Sequence, residues 1–423
     1  MNFARSHRLI VAAAIAGLLL RLAFAFLYWN NKPLTHDERE YLALAQSVSA
    51  GRGFTYDARH DPGTAQQFGR APAYPFFLAV IGAGAENYDA VPARVKIAQS
   101  IVGTLGVWMI GLLARRAAGP AAGVAAAAIA SLYPPLVWIC AYVLSEALYS
   151  TMALGTVLLL DVALDHAECS SNRPWVRRGG LLAVAAGVVA GAAILVRPAM
   201  LVFLPLAALW LVARRRGALA AAFLAAALFV VAPWTVRNLR VYDRFVLVAS
   251  EGGVTFWTGN HPLARGEGDL AANPDIKTAE IAFRTAHPGL TAEELEPLYY
   301  REALGYIAAH PGWWLGLLLK KAFYTVVPAG PSYTLHSTLY RLSSIASYVI
   351  LLPFALFGIR AWRRQAHRPE ALFLLAASAL IVGLLFFPQE RFRIPVIDPT
   401  LIVCAGIWCG TRPVRRASGT IEI

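Results

Sequence analysis

The sequence predicts an all-α polytopic membrane protein with about ten transmembrane helices of the length that a bilayer requires. Of its 423 residues, 58% are hydrophobic and only 15% are charged, and the mean hydropathy is +0.53, outside the range of soluble proteins. The formal net charge of +13 comes largely from small Arg clusters between apolar runs. No basic tract interleaved with aromatic residues indicates a nucleic-acid groove, so these clusters indicate membrane topology and contact with anionic lipid headgroups.

The apolar runs predict the spans in chain order. A span needs about 20 apolar residues, and the runs that approach this length are 9–29, 92–114, 117–134, 137–162, 180–196, 199–213, 217–235, 341–361, 369–387 and 396–411. Arg-rich clusters follow every second run, at 115–116, 177–178, 214–216, 363–364 and 412–416. The positive-inside rule therefore predicts that both termini are cytoplasmic.

One transmembrane module is expected over residues 1–411, with outer regions at 30–91 and 236–340 and a short cytoplasmic tail at 412–423. Short helices on the outer surface are expected in both outer regions. Arg21 interrupts the first apolar run, so we expect an uncleaved anchor and not a signal peptide.

Two helices are predicted in the second outer region. Thr291 and Glu294 have the spacing of a capping box and predict the start of a polar helix. Lys320 and Lys321 interrupt the apolar run 312–327, which predicts an interfacial amphipathic helix and not a further span.

The stretch Thr35-His36-Asp37-Glu38 follows the first span and has the pattern of a second capping box. Asp37 would lie in the first helical turn, where the helix dipole favours an ionised carboxylate. An ionised acid at the mouth of a membrane protein can take a proton from an incoming hydroxyl group. The alternative is that Asp37 and Glu38 are ordinary acids of a first helical turn.

Several charged residues fall on the same outer side as Asp37. Arg suits phosphate because its fork binds two oxygens at once, so the group predicts an anion site beside a base. Its members are Glu38, Arg70, Glu146, Arg197, Arg237, Arg391 and Arg393. The alternatives are an internal ion pair for Glu146, snorkelling for Arg197, and lipid headgroup contacts for Arg237, Arg391 and Arg393.

Three further residues have open interpretations. Tyr74 and Trp257 are candidate platforms for a sugar or an acceptor, and their alternative role is anchoring at the membrane interface. Arg21, deep in the first span, is expected to pair with a carboxylate or with a ligand phosphate. The sequence contains no Gly-rich nucleotide loop, no metal-ligand spacing such as H-E-x-x-H and no G-x-S-x-G elbow.

Several short motifs are spread along the chain: Asp37-Glu38 with Tyr41, Gly51-Arg52-Gly53-Phe54, Arg70-x-Pro72-x-Tyr74-Pro75, Pro233-Trp234-x-x-Arg237-Asn238, Gly252-Gly253, Gly259-Asn260-x-Pro262 and Arg391-Phe392-Arg393-x-Pro395. Taken together, they resemble those of the GT-C membrane glycosyltransferases, in particular the bacterial protein O-mannosyltransferases and the aminoarabinose transferases of lipid A. The likeness extends over most of the chain.

The resemblance implies transfer of a sugar from a polyprenyl-phosphate carrier, with inversion, on the periplasmic side of a bacterial inner membrane. Asp37 matches the family's general base and Arg70 its basic position near the donor phosphate, and Glu146 is a candidate for the second acid. A polyprenyl phosphate leaves readily, so the protein must supply only a base and cations for the charge that grows on the phosphate. A divalent cation that bridges acid and phosphate is an open alternative.

Two other classes of function remain open at this stage. A transporter or flippase of a polyprenyl-linked or other anionic lipid would also suit a basic outer face, and Arg21 at membrane depth favours it. A scaffold subunit would leave Asp37 as a helix cap. The acceptor is also open among protein Ser/Thr, lipid A, a cell-wall polymer and another lipid glycan.

Overall fold

The structure is a computed structural model that describes residues 3–55, 69–85, 88–168, 173–268, 272–328, 330–332, 336–365 and 369–411. These residues form helices and no strand, with one isolated bridge between Pro33 and Ala90. The helices are α1 (Phe3–Ala23), α2 (His36–Ser49), α3 (Ala73–Val80), α4 (Ala93–Leu132), α5 (Pro134–Trp138), α6 (Glu146–Glu168), α7 (Arg173–Val196), α8 (Phe203–Ala213), α9 (Gly217–Tyr242), α10 (Gly252–Asn260), α11 (Pro274–Thr285), α12 (Ala292–Ala309), α13 (Pro311–Val326), α14 (Thr338–Trp362), α15 (Glu370–Leu385), α16 (Glu390–Arg393) and α17 (Ile397–Thr411). The predicted all-α fold is confirmed.

The apolar helices correspond to the predicted spans. Among the described residues, six helices are long and apolar enough to cross a membrane, and three shorter apolar helices accompany them: the long ones are α1, α4, α6, α7, α9 and α14, and the shorter ones α8, α15 and α17. Helix α4 is a hairpin of two arms, because Ala118 and Gly119 have non-helical dihedral angles and Pro120 follows them. The protein is thus a multi-pass membrane protein.

One predicted span begins later than the sequence suggests. The run 137–162 was expected to be continuous, but α6 begins only at Glu146. Pro134 and Pro135 start the separate short helix α5, since proline favours a first helical turn, and a 3₁₀ turn at Ile139–Ala141 and the extended Tyr142 follow. Glu146 consequently lies in the first turn of a helix and not one or two turns inside it.

The bundle has two chemically different ends. At one end, Arg116 at the close of the first α4 arm donates to Asp161 and Asp165 near the end of α6, at 2.6 and 2.5 Å. Arg214 after α8 pairs there with Glu370 at the start of α15. The opposite end holds the start of α6 and the end of α7. The predicted cluster at 412–416 and the tail 412–423 lie outside the described residues.

Small residues bring α7 and α9 unusually close together. A Cβ atom added to Gly187 would lie 2.3 Å from the carbonyl oxygen of Phe223, and one added to Gly191 would lie 2.6 Å from that of Ala227. Both contacts are shorter than real Cβ contacts. The small-xxx-small spacing of the two glycines lets the backbones meet, which is how helices pack without a hydrophobic driving force.

The second outer region forms a small helical unit beside the bundle. The predicted capping box at the start of α12 is present, since the Thr291 N–H donates to Glu294 Oε2 at 2.9 Å. In α13, Lys321 is completely buried and donates to Asn260 Oδ1 and to the Leu384 carbonyl, each at 3.0 Å. Lys321 therefore ties α10, α13 and the end of α15 together. This packing fixes the end of α15 next to the site described below.

The glycine contact predicts an asymmetric response to alanine. Gly187→Ala should destabilise the protein by about 1–3 kcal/mol, because the new methyl group overpacks the α7–α9 contact. Gly180→Ala on the same helix meets open space and should be neutral or stabilising by up to about 1 kcal/mol through helix propensity. Thermal unfolding in detergent measures both, and equal effects would contradict the close-approach argument.

Candidate functional site

A cavity of about 470 Å³ lies at the end of the bundle opposite Arg116 and Arg214. Both charged and apolar side chains line it. The charged residues are Asp37, Arg70, Glu146, Arg197, Glu251, Glu296, Arg391 and Arg393, and the apolar residues include Val196, Leu201, Val202, Val382, Phe386 and Phe387. The cavity can therefore receive a ligand that has both a charged group and a hydrocarbon chain.

The Asp37 carboxylate lies between two guanidinium groups. Its Oδ1 accepts from Arg70 Nη2 at 2.9 Å, and its Oδ2 accepts from Arg391 Nη1 at 2.7 Å. Burial alone would raise the pKa of Asp37, but the charges and hydrogen bonds of Arg391 and Arg70 outweigh it and hold the pKa below its usual range. Asp37 is thus ionised, and both of its oxygens are occupied.

Arg70 joins three acids, two from α2 and one from the start of α10. Besides Asp37, it donates through Nε to Glu40 Oε2 at 3.0 Å and through Nη1 to Glu251 Oε2 at 3.1 Å. Burial acts to lower the pKa of Arg70, but the charges of Glu251 and Asp37 raise it. Burial also raises the pKa of Glu251 despite the nearby Arg70. This cluster fixes the segment before α3 against α2 and α10.

Arg197 and Arg391 lie against the same aromatic ring. The guanidinium carbons are 5.0 and 5.2 Å from the ring centroid of Phe392, within the range of cation–π contacts. Arg197 also pairs with Glu146 at 2.6 Å, so each Arg has its own acid and the two like charges can lie near each other. The arrangement presents two cations to the cavity.

Glu38 supports Asp37 without facing the cavity. It is 1% exposed, and its Oε2 accepts from both the N–H and the hydroxyl group of Thr35, at 2.8 and 2.9 Å. Its Oε1 accepts the N–H of Val143 at 2.8 Å. The predicted capping box is present, and it also joins the start of α2 to the segment before α6, which begins with Glu146.

The remaining predicted site residues lie further from the cavity centre. Arg393 lines the cavity but is 4% exposed and donates to the buried Asp398 at 2.8 Å. Arg237 does not line the cavity and instead donates to the carbonyl of Phe54 at 3.1 Å. Arg237 therefore holds the segment that follows α2 against α9.

Neither predicted aromatic platform lines the cavity. Tyr74 is fully buried, and its ring packs edge-on against Tyr41 at 4.9 Å between centroids. Trp257 is 1% exposed, belongs to the small core of the second outer region and donates to Glu302 at 3.1 Å. Both are buried by neighbouring helices and have no free ring face, so the structure places Tyr41, and not these two, at the cavity.

Four residues of the site were not singled out individually in the sequence. Glu40 lies one helical turn after Asp37, and Glu251 directly precedes Gly252-Gly253, so the sequence around each residue could have indicated a role in the site. Phe392 belongs to the motif Arg391-Phe392-Arg393-x-Pro395. Glu296 had no such signal: it comes to the cavity from the second turn of α12, where burial raises its pKa to about 7 despite hydrogen bonds from the Gly252 and Gly253 backbone.

A bound metal ion would need several carboxylate, imidazole or thiolate ligands close together. In the part of the chain that the structure describes, no three His, Cys, Asp or Glu side chains come together in a way that could hold one. Both Asp37 oxygens already accept from Arg side chains. The described residues thus contain no ready-made metal site of this kind, and the mechanism proposed below has no step that uses a metal ion.

Comparison of the whole structure shows what the chain resembles. No family profile matches the sequence, and no curated protein sequence matches it. The structure is similar to the archaeal oligosaccharyltransferase AglB from Archaeoglobus fulgidus in complex with an inhibitory peptide and a dolichol-phosphate, with a TM-score of 0.56 and 15% identity over 95% of this chain and 50% of that one. The same enzyme tethered to an acceptor peptide gives a TM-score of 0.58 at 16% identity, over 96% of this chain and 49% of that one.

A structure of ArnT from Cupriavidus metallidurans bound to undecaprenyl phosphate also matches, at 15% identity and a TM-score of 0.41, over 94% of this chain and 77% of that one. The chain spans about half the length of the archaeal structures. The likeness to AglB confirms the multi-helix membrane fold that the motifs implied. At this identity it concerns the fold alone.

The two capping boxes predict different sensitivities to amide substitution. Glu38→Gln should destabilise the protein by about 2 kcal/mol, because an amide cannot accept from both Thr35 and the buried Val143 N–H as the carboxylate does. Glu294→Gln in the exposed box of α12 is the matched control and should cause only a small loss. Thermal unfolding tests this, and a larger loss for Glu294→Gln would contradict it.

Proposed function

We propose that this protein is an inverting glycosyltransferase that moves a sugar from a polyprenyl-phosphate carrier to an acceptor hydroxyl group. The observation that carries the proposal is the position of Asp37, an ionised carboxylate beside Arg70 and Arg391 in a cavity that apolar side chains also line. A base, two phosphate-binding cations and a hydrocarbon-lined wall are what such a reaction requires.

The lipid nature of the donor is argued from the cavity wall. The segment Pro198–Val202 and the second half of α15 contribute apolar side chains within the same cavity as Arg197 and Arg391. A nucleotide sugar would leave this wall facing a polar ligand, whereas a prenyl chain covers it. An oligosaccharyltransferase of the same fold has been solved with a dolichol-phosphate, which supports a lipid phosphate as the ligand.

The reaction forms a glycosidic bond to the acceptor and breaks the bond between the sugar and the carrier phosphate. The acceptor oxygen attacks the anomeric carbon of the sugar from the face opposite the phosphate, and its proton passes to Asp37. The bond between the anomeric carbon and the phosphate oxygen breaks, and its electron pair leaves with the phosphate. Arg391 and Arg197 stabilise the extra negative charge. No general acid is needed, unlike in a glycosidase, where a carboxylic acid protonates the leaving oxygen.

Donor binding also prepares the base. In the structure, Arg391 occupies Asp37 Oδ2 at 2.7 Å, so the carboxylate is a weak base with no free oxygen on that side. A phosphate group competes for Arg391 because it accepts charge-assisted hydrogen bonds as strongly. Partial release of Asp37, together with the negative charge of the phosphate, would raise the pKa of Asp37 and free an oxygen for the acceptor. The base is then active only when the donor is present.

We further propose that the site faces the periplasm of a bacterial inner membrane, with both termini in the cytoplasm. The Arg clusters at Arg116 and Arg214 lie at the opposite end of the bundle from the cavity, and such clusters favour the cytoplasm. Lipid-linked sugars are the donors that remain usable outside the cytoplasm.

Arg21, which favoured a transporter, lies beside Glu146 of this same site. The acceptor hydroxyl can belong to a glycan, a lipid or a protein.

Removing the base should abolish transfer without abolishing donor binding. We expect Asp37→Asn to lower the transfer rate by about 10²–10⁴-fold, because general base catalysis is lost. The assay follows label from polyprenyl-phosphate mannose and other polyprenyl-phosphate sugars into a membrane extract. Polyprenyl phosphate binding to the same variant serves as the fold and binding check.

A surface carboxylate provides the control. Asp275 pairs with Arg265 where both side chains are more than half exposed, and Asp275→Asn should transfer sugar at the wild-type rate. Unchanged turnover of Asp37→Asn would exclude Asp37 as the base. Transbilayer movement of the lipid without a new glycosidic bond would indicate a flippase. Repeating the assay with a chelator tests whether a divalent cation takes part.

The release of Asp37 by the donor predicts a pH signature. Transfer is lost as pH falls through the pKa of Asp37, which is below its usual range in the free protein. The acidic limb of kcat/KM reports the free enzyme and that of kcat the complex, so the kcat limb should lie at higher pH. In Arg391→Gln the pKa of Asp37 in the free protein rises, because one of its two cations is lost. The difference in pH between the acidic limbs of kcat/KM and kcat should therefore become smaller. Coincident limbs in the wild type would disprove this release.

A further inference from the structure

Arg21 is a buried cation inside the first membrane helix. It is 1% exposed, and its Nη1 donates to the carbonyl of Gly17 at 3.0 Å. The backbone makes room for it at two glycines: a Cβ atom on Gly17 would lie 2.8 Å from Arg21 Nη1, and one on Gly103 would lie 3.1 Å from Arg21 Nε. Such a charge is costly in a membrane and calls for a partner.

The partner lies across a second, much smaller cavity. This cavity has a volume of about 20 Å³ and is lined by Arg21, Gly103, Cys140, Glu146 and their neighbours. Arg21 Nε and Glu146 Oε2 are both buried, and neither has a hydrogen-bond partner among the described protein atoms. A donor and an acceptor of opposite charge thus line one enclosed space.

The volume of this space fits one water molecule. About 10–15 Å³ of this kind of volume is needed for a single water, which also requires two or more polar partners. Arg21 Nε supplies a donor and Glu146 Oε2 an acceptor. Bound there, a water would satisfy both atoms, whereas each would otherwise carry the full cost of an unpaired buried charge.

We propose that Arg21 is a positioning residue that acts through this water on Glu146, and through Glu146 on Arg197. The other oxygen of Glu146, Oε1, pairs with Arg197 at 2.6 Å. Arg197 packs on the ring of Phe392, which Arg391 also contacts. The first membrane helix thereby fixes the orientation of a cation that lines the large cavity, although Arg21 itself does not line it.

This relay explains why a single acid suffices between two arginines. Glu146 has two oxygens that face different elements, one toward Arg197 at the end of α7 and one toward the small cavity beside α1. If Arg21 were absent, Glu146 would be free to turn both oxygens toward Arg197 and to shift its guanidinium group. The role assigned to the phosphate contact rests on the proposed function, while the coupling of Arg21 to Glu146 does not.

The test is a double-mutant cycle with undecaprenyl phosphate as the binding probe. Arg21→Gln should weaken binding about five- to tenfold in the wild-type background and less than about twofold in the Glu146→Gln background, since residues in one hydrogen-bond network are not additive. Arg21→Lys keeps a charged donor and should recover part of the affinity. Thermal unfolding of the wild type, Arg21→Gln, Glu146→Gln and the double variant gives a second cycle that needs no ligand.

Lys96 is the matched control. It is 4% exposed and also contacts the first helix, since it donates to the carbonyls of Ala25 and Trp29 at 2.9 and 2.8 Å, but it does not line the small cavity. Lys96→Gln should have the same effect in the wild-type and Glu146→Gln backgrounds.

The outcomes separate the two proposals. Coupling of Arg21 with Glu146 in the unfolding cycle supports the relay even if no polyprenyl-phosphate sugar is transferred, which would count against the proposed function alone. Additive effects of Arg21→Gln and Glu146→Gln in both cycles, or coupling of the same size for Lys96→Gln, would overturn the relay even in a protein that transfers sugar.

Discussion

The interaction on which the rest of the site depends is the clasp of Asp37 by two arginines. Asp37 opens α2, Arg70 precedes α3 and Arg391 lies in α16 between the last two apolar helices, so one carboxylate joins three parts of the chain. The Asp37 side chain is 23% exposed, and a carboxylate that is largely withdrawn from water is costly without a partner. In the structure the two guanidinium groups supply that partner, and the cavity forms around this arrangement.

Charge balance extends outward from this clasp. Arg70 is shared with Glu251, and Glu146 neutralises Arg197 so that it can approach Phe392 beside Arg391. Each cation of the cavity has an acid on a different element. Such a network is rigid while it is complete and is disturbed when an anion enters, because the anion takes cations away from their acids. In the mechanism proposed above, a ligand phosphate alters the acid–base properties of the site by exchanging these ion pairs.

The similarity to AglB concerns the fold, whereas the chemistry is inferred from the side chains of the site. At 15–16% identity the likeness extends over nearly the whole of this chain and about half of the archaeal one. It establishes how the helices are arranged, whereas chemistry belongs to particular side chains. The apolar wall of the cavity, the ionised Asp37 and the paired cations are properties of this chain. They carry the proposal of lipid-linked sugar transfer, and the acceptor has no comparable feature here.

The sequence by itself determined the membrane helices, the two capping boxes and the place of Asp37 in the first turn of α2, because each depends on hydropathy or on residues three or four positions apart. Tertiary structure alone decided which charges meet. Glu251 and Glu296 reach the cavity from outer helices, while Trp257 is buried elsewhere in the same region. Arg21 and Glu146 line the same small cavity because α1 and α6 both pack against α4. Pairings between residues more than a hundred positions apart follow from helix packing, which no local pattern encodes.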